Sequence, residues 1–417
     1  MAGSRALGHG AGFIVTVLVA RELGPVALGL YSFALVVATL LSEVPGAGLD
    51  LTAVRLSARD WGAEPARARG VLLVAGLTKG VWTLGVAWAA LVLADPIARL
   101  LGRPELAPPL RFGAITGVAL AMTEYLFAML QIQERFGRIL TVNLVAAAAR
   151  LGPVFALVWA GAFTLHRAIL VLLGAAAATC ATAAIVAWRP WRGPIAVDRG
   201  TARELLTLGR WLVLSALINA LSNSLDILTL TQLAGPLQTG IYTSGRSLAM
   251  PLLLASGATG AVLVPRFSRL AAAGPVVAEI RHITRLAGGG AALLAAASVA
   301  LGPFLVPLVF GPRYAGAVVV FQLLAVVYCV QIATWPLLAV LLVFLHRPNR
   351  ILGLSLVGLC LGGVGYLLLV PPFGAVGAAW VTLGTHVVIM ALCALLARST
   401  LRRAARSADP TQASAPS

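Results

Sequence analysis

Gly24-Pro25-Val26-Ala27-Leu28-Gly29-Leu30-Tyr31 returns 211 residues later as Gly235-Pro236-Leu237-Gln238-Thr239-Gly240-Ile241-Tyr242. Both stretches read Gly-Pro, three residues, Gly, one residue, Tyr. At the same offset Val54-Arg55-Leu56-Ser57 falls opposite Pro265-Arg266-Phe267-Ser268. One residue out of step, Arg135-Phe136-Gly137-Arg138-Ile139-Leu140 matches Arg347-Pro348-Asn349-Arg350-Ile351-Leu352. Three matches in chain order make two copies of one structural unit. Within each copy, Gly-Pro ends one helix, and the proline opens the next where its missing N–H costs nothing. Gly29 and Gly240 leave room for a neighbouring helix to approach. Tyr31 and Tyr242 are expected at headgroup level, where an amphipathic ring is comfortable.

The surroundings of the repeat are apolar. The 417 residues are 60% hydrophobic and 11% charged, with a mean hydropathy of +0.95. A soluble domain carries about a quarter of its residues as charges, so this chain cannot cover itself in water. Its apolar runs are about 20 residues long, the length of a helix crossing about 30 Å of hydrocarbon. Lipid offers no partner to an open backbone edge, and runs without alternating polarity exclude a barrel. Twelve spans are expected, near 7–23, 26–48, 70–94, 112–132, 139–161, 168–188, 208–233, 240–263, 286–310, 315–345, 351–370 and 374–397. The tenth is too long for one straight crossing and holds Trp335-Pro336, which predicts a kink. The first is short and glycine-rich, which leaves open a start further upstream or a helix that leans on neighbours. It lacks the basic flank and small-residue site of a cleaved signal.

The net charge of +17 is a matter of topology. Of 31 Lys and Arg, 22 fall on the connections that share a side with the amino terminus, six fall on the opposite set, and Lys79, Arg150 and Arg246 lie inside spans. This bias predicts an even number of spans with both termini cytoplasmic. No loop is large enough to present a basic face to nucleic acid. The cysteines Cys180, Cys329, Cys360 and Cys393 all fall in spans without ligand spacing, and are expected as small buried hydrophobes. No motif for a cofactor or a metal is present.

The copies divide in the polar linker Arg189–Arg199, giving lobes 1–195 and 196–406 and a polar tail, 407–417, expected to be disordered. Six spans per lobe make the copies parallel, related by a pseudo-two-fold axis along the membrane normal with a cleft between them. The fold class expected is therefore an all-α integral membrane protein, with about twelve transmembrane helices in two six-helix bundles around a central cavity. Apolar paired bundles of this kind point to a transporter.

At Val19-Ala20-Arg21-Glu22-Leu23-Gly24-Pro25 and Gly29-Leu30-Tyr31-Ser32 the chain resembles the polysaccharide-biosynthesis transport proteins. Asp226, the Gly235–Tyr242 turn, Ser244-Gly245-Arg246, Val264-Pro265-Arg266-Phe267-Ser268-Arg269 and Phe373-Gly374-Ala375-Val376-Gly377-Ala378-Ala379 carry the same resemblance. These are oligosaccharide-lipid flippases of the superfamily that includes multidrug and toxin extruders and lipid II flippases. The resemblance implies that undecaprenyl-pyrophosphate-linked oligosaccharide is turned from the inner to the outer leaflet of the bacterial cytoplasmic membrane. It also implies a cationic cavity, and a polysaccharide polymerase and glycosyltransferases as partners. The loop 160–168 lacks the glycine-rich signature of 373–379, which weakens the repeat at the end of the first lobe.

A charge at mid-bilayer costs about 2.5–3.5 kcal/mol, so each intramembrane charge asks for a reason. A pyrophosphate is a dense anion that arginine grips through two N–H groups at once. Arg21, Arg150 and Arg246 are therefore candidates for a headgroup clamp, with Lys79 as a point charge. Asn219, Asn223 and Asp226 recur at i, i+4 and i+7 on one helical face, and Asn223 joins the binding set. Asp226 either carries a coupling proton or neutralises Arg246, the favoured reading. Glu124 is a second proton-carrier candidate, and Glu43, near Pro45, a gate or the cap of a helix break. The alternatives are a cation-coupled drug extruder of the same superfamily, a membrane polymerase or ligase, and a scaffold for assembly partners. Intramembrane arginines count against the first. The second lacks the sizeable outer loop such an enzyme needs.

Overall fold

The computed structural model describes residues 2–44, 47–61, 63–133, 136–187, 193–197, 199–273, 276–344 and 348–407. Residues 189–192 and 198 of the interlobe linker and the tail from residue 408 lie outside them. Eleven α-helices follow in order: α1 Ala2–Glu43, α2 Ala47–Asp60, α3 Pro65–Leu100, α4 Ala107–Ile132, α5 Phe136–Trp159, α6 Leu165–Ala187, α7 Arg199–Leu233, α8 Pro236–Ala273, α9 Val276–Phe310, α10 Ala317–Phe344 and α11 Pro348–Ser407. Short 3-10 turns at Pro104–Leu106 and Pro312–Tyr314 precede α4 and α10.

Among the described residues, eight stretches are long and apolar enough to cross a membrane. Two of these, Gly8–Ala58 and Gly353–Ala397, run to 51 and 45 residues. Each passes through a glycine with non-helical backbone, Gly24 in the first and Gly374 in the second, and so holds two of the expected spans. The seventh and eighth expected spans lie on α7 and α8, whose side chains are described only in part. α10 stays helical through Pro336 to Phe344.

The repeat is written into the backbone more completely than into the sequence. Six glycines among the described residues have positive φ: Gly24 (82°), Gly102 (66°), Gly161 (61°), Gly235 (90°), Gly311 (93°) and Gly374 (55°). They form three pairs, Gly24 with Gly235, Gly102 with Gly311, and Gly161 with Gly374, at nearly constant offset. Each pair sits between equivalent helices of the two copies. The loop 160–168 thus keeps its place in the repeat. Its composition has drifted, but the left-handed turn still demands the one residue without a Cβ.

Packing separates the chain into two compact units, 1–243 and 244–417. This division concerns contacts, whereas the division near residue 195 concerns the repeat. In the first unit α1 packs on α4, α5, α6 and α7. The central feature is a reciprocal contact between the two Gly-Pro motifs. A Cβ built on Gly29 would lie 1.9 Å from the carbonyl oxygen of Pro236, and one on Gly240 would lie 1.9 Å from that of Pro25. Residues 25 and 29 of one copy therefore meet 236 and 240 of the other, as a local two-fold relation requires. Arg103 strengthens the same region by donating from Nε to the carbonyl of Gln232 at 2.8 Å.

Tyr31 and Tyr242 are 4% and 0% exposed, buried in protein instead of lying at a headgroup surface. Burial there requires the phenol to find a partner, and Tyr242 donates to the Asp226 carboxylate at 2.8 Å. Between α2, α3 and α4, Leu49, Ala53, Leu56, Val71, Leu72, Ala75, Tyr125 and Met129 form an apolar core. Near it Lys79 Nζ meets Asp50 Oδ2 at 2.5 Å, with the lysine side chain 1% exposed. In the second unit α10 packs on α9 and α11, and Trp335 Nε1 donates to Ser256 Oγ at 2.9 Å. Cys329 and Cys393 are buried and Cys180 partly so, but Cys360 is exposed on α11 instead of buried.

Two outcomes follow for stability. Gly29→Ala and Gly240→Ala each force backbone apart and are expected to cost about 1–3 kcal/mol or more. Gly80→Ala, with no atom within 4 Å of its Cβ, is expected to be harmless. Equal melting temperatures for all three in detergent would contradict the reciprocal contact. Asp50→Leu leaves the buried ammonium without its counter-charge and is expected to cost about 3–5 kcal/mol, while Asp50→Leu with Lys79→Met recovers most of the loss. The measurement is a thermal-unfolding double-mutant cycle, and additive losses would contradict the pairing.

Candidate functional site

The intramembrane charges sort into three groups by the helices that hold them. On α5, Arg150 lies against α1: its Nη1 is 3.4 Å from where a Cβ on Gly12 would sit, and it acts electrostatically on Tyr31. Gly12 thus packs against the guanidinium at close contact distance. Arg150 is half-buried, and its Nε is buried with no hydrogen-bond acceptor among the described residues. A buried cationic donor without an acceptor is costly unless a ligand supplies one. Arg21, one side of the kink at Gly24, is exposed.

The second group joins α1, α2, α3 and α4. Lys79 is held by Asp50, whose other oxygen, Oδ1, is buried without a partner among the described residues. Glu124 acts electrostatically on both Glu43 and Asp50, so three carboxylates and one ammonium share a locality. Glu124 is exposed and Glu43 half-buried. Tyr125, beside Glu124, turns inward and donates to the carbonyl of Leu72 at 2.6 Å. Asp50 counts among the intramembrane charges of the sequence, but no binding or coupling role is read for it there. Its signal was one acidic and one basic residue on consecutive spans, but no spacing rule relates positions 50 and 79.

The third group is on α7 and α8. The helical face 219–223–226 is divided: Asn219 and Asn223 are exposed and bonded to each other at 3.1 Å, whereas Asp226 is 7% exposed. Its Oδ2 accepts from Tyr242, and its Oδ1 accepts from the Ile227 N–H at 2.8 Å. Thr231 and Thr239 bond at 3.0 Å a turn further on. Arg246 is half-buried on α8, within the second unit. Among the described residues no group of His, Cys, Asp and Glu is arranged to hold a metal ion.

Comparison with known proteins gives the arrangement its context. The fold is shared with solved structures, three of which illustrate the range. The lipid II flippase MurJ in an inward closed conformation aligns with a TM-score of 0.73 at 10% identity, over 95% of this chain and 86% of its own. An inward-facing multidrug resistance MATE family transporter of the MOP superfamily aligns at 0.70 and 15% identity, over 94% and 95%. A MOP superfamily transporter from Pyrococcus furiosus Vc1 (DSM3638), described by a reverse polarity of its binding pocket that suggests a different function, aligns at 0.65 and 14% identity, over 96% of both chains. No curated protein gives a significant match. Residues 2–271 match the family described as polysaccharide biosynthesis protein. That match spans the whole first copy and the reciprocal Gly-Pro contact, so this chain, with eight described stretches long and apolar enough to cross a membrane, belongs to the polysaccharide biosynthesis protein family.

Proposed function

We propose that the protein flips an undecaprenyl-pyrophosphate-linked oligosaccharide from the inner to the outer leaflet of the cytoplasmic membrane by alternating access. In this reading twelve helices cross the membrane, six per repeat, with both termini cytoplasmic. Arg150 carries the proposal: a guanidinium inside an apolar bundle, with a buried Nε that no described acceptor satisfies, suits a ligand rich in planar oxygen acceptors. Arg21 and Arg246 belong to the same headgroup set by the same chemistry, and Asn223 offers an amide to sugar hydroxyls. Lys79, held by Asp50, acts on the pyrophosphate only when that pair opens. We assign Glu43 and Glu124, coupled through their charges, and Asp226, held by Tyr242, to coupling or gating. The family match supports a substrate of polysaccharide biosynthesis, and the likeness to a lipid II flippase supports a lipid-linked one.

The energy for this step is available without a nucleotide. About two negative charges leaving a cytoplasm held at about −100 mV gain about 4.6 kcal/mol, at about 2.3 kcal/mol per charge. The second reading, a cation-coupled extruder, rests on the likeness to the multidrug transporter. A partnerless arginine donor counts against it, because an organic cation would meet like charge.

In proteoliposomes carrying a fluorescent polyprenyl-pyrophosphate-linked disaccharide, Arg150→Ala is expected to lower flipping at least tenfold, equivalent to about 1.4 kcal/mol. Arg150→Lys keeps the charge without the planar fork and is expected to fall between. A wild-type rate in Arg150→Ala, or wild-type export of ethidium with no flipping, defeats the reading. Collapsing the membrane potential is expected to slow the wild type, as followed by dithionite quenching. An unchanged rate after potential and ion gradients are both dissipated would remove the electrical drive.

A further inference from the structure

The second unit contains an intramembrane histidine that the charge-based reading of the sequence passed over, because a neutral imidazole carries no formal charge. His386 lies on the last apolar segment of α11 and is half-buried. Its Nδ1 is 2.8 Å from the backbone carbonyl of Thr382, and its Nε2 is 2.7 Å from Nε2 of Gln331 on α10. A carbonyl only accepts, so Nδ1 carries the proton. Nε2 then accepts from the Gln331 amide, and the neutral ring is satisfied at both ends. Thr382 continues the chain to Tyr366, whose hydroxyl lies 3.0 Å from Thr382 Oγ1.

Glutamine beside the ring makes this site able to hold either protonation state. When Nε2 gains a proton it becomes a donor, and the Gln331 amide needs only to turn over to present its oxygen in place of its nitrogen. The Nδ1 bond to Thr382 is the same in both states. A core histidine kept for packing needs no partner that can donate and accept in turn. The elements around His386 carry Tyr328, Cys329, Tyr366, Cys360 and Cys393 as titratable groups. The stretches 286–310, 317–344 and 353–397 contain no Asp, Glu, Lys or Arg; α8 carries Arg246, Arg266 and Arg269 in this unit, and α9 carries Glu279, Arg281, His282 and Arg285 ahead of residue 286. An ionisable side chain at membrane depth is by default a functional one.

We infer that His386 and Gln331 form a proton-binding site, and that a proton loaded there moves inward as the anionic substrate moves out. This rests on the flippase reading for its substrate and on the hydrogen-bond geometry alone for its proton. The step makes and breaks no covalent bond except N–H: Nε2 takes a proton from water on the outer side and returns it to water on the inner side.

Two measurements separate the proton site from the substrate. In liposomes with entrapped pyranine and the same fluorescent disaccharide probe, the wild type is expected to change lumenal pH as the probe flips. His386→Gln and Gln331→Leu are expected to move at least tenfold fewer protons per probe flipped, with unchanged melting temperatures. Wild-type flipping without a pH change, or an unaltered proton ratio in His386→Gln, overturns the inference. If the wild type flips no probe at all, the substrate reading fails, and the second measurement decides the proton site. Full-length protein with 15N-histidine in nanodiscs, compared with His386→Gln to identify the signal, is expected to show an Nδ1–H neutral ring. That ring is expected to become doubly protonated between about pH 8 and pH 5. A signal that stays in one protonation state across that range, or an Nε2–H neutral tautomer, overturns it.

Discussion

Everything in the first unit is arranged around a crossing where two backbones touch because two glycines have no side chains. Gly29 receives the carbonyl of Pro236, and Gly240 receives that of Pro25. In lipid there is no hydrophobic force between apolar helices, so association depends on close packing and on satisfied polar groups. The crossing supplies the first. Around it, Arg103 on Gln232, Tyr242 on Asp226 and Thr231 with Thr239 supply the second. The proline ring in each motif is harmless because it opens a helix after a left-handed glycine, where no N–H is called for. A single eight-residue motif thus ends one helix, starts another and forms the contact between its own two copies.

The same environment explains which charges are settled and which are poised. Lys79 and Asp50 offset each other's charge in a place where either alone would be costly, and the apolar core of α2, α3 and α4 packs beside them. Asp226 is settled by a phenol and a backbone N–H. Arg150 packs against Gly12, and its Nε is a cationic donor with no described acceptor. A buried cationic donor left open is costly, and an anionic ligand would relieve that cost.

The helices were legible because lipid imposes one rule on every residue of a span, and a rule that acts on single positions leaves its mark in composition. The described residues of the apolar runs are helical except at a few run ends. The kinks at Gly24 and Gly374 were legible as Gly-Pro and as a glycine-rich stretch. The loop 160–168 was misread as a departure from the repeat, since the turn needs only one glycine and its neighbours are free to change. The site was legible in kind but not in partnership. Lys79 reads as a point charge until Asp50 is seen 2.5 Å away. The face of Asn219, Asn223 and Asp226 reads as one surface until the carboxylate is seen to turn inward to Tyr242. Helical periodicity places side chains on a cylinder and says nothing of what the neighbouring cylinder offers.

From its sequence alone this protein was determined to be helical, membrane-embedded, duplicated and broken at its glycines. Hydropathy, chirality and the missing Cβ act on each residue wherever the rest of the chain lies. The partners of Lys79, Asp226, Tyr242 and His386 were decided only by the tertiary structure. A hydrogen bond or an ion pair joins atoms a few ångströms apart, and the distance between helices is set by how they pack, which no stretch of a single helix contains.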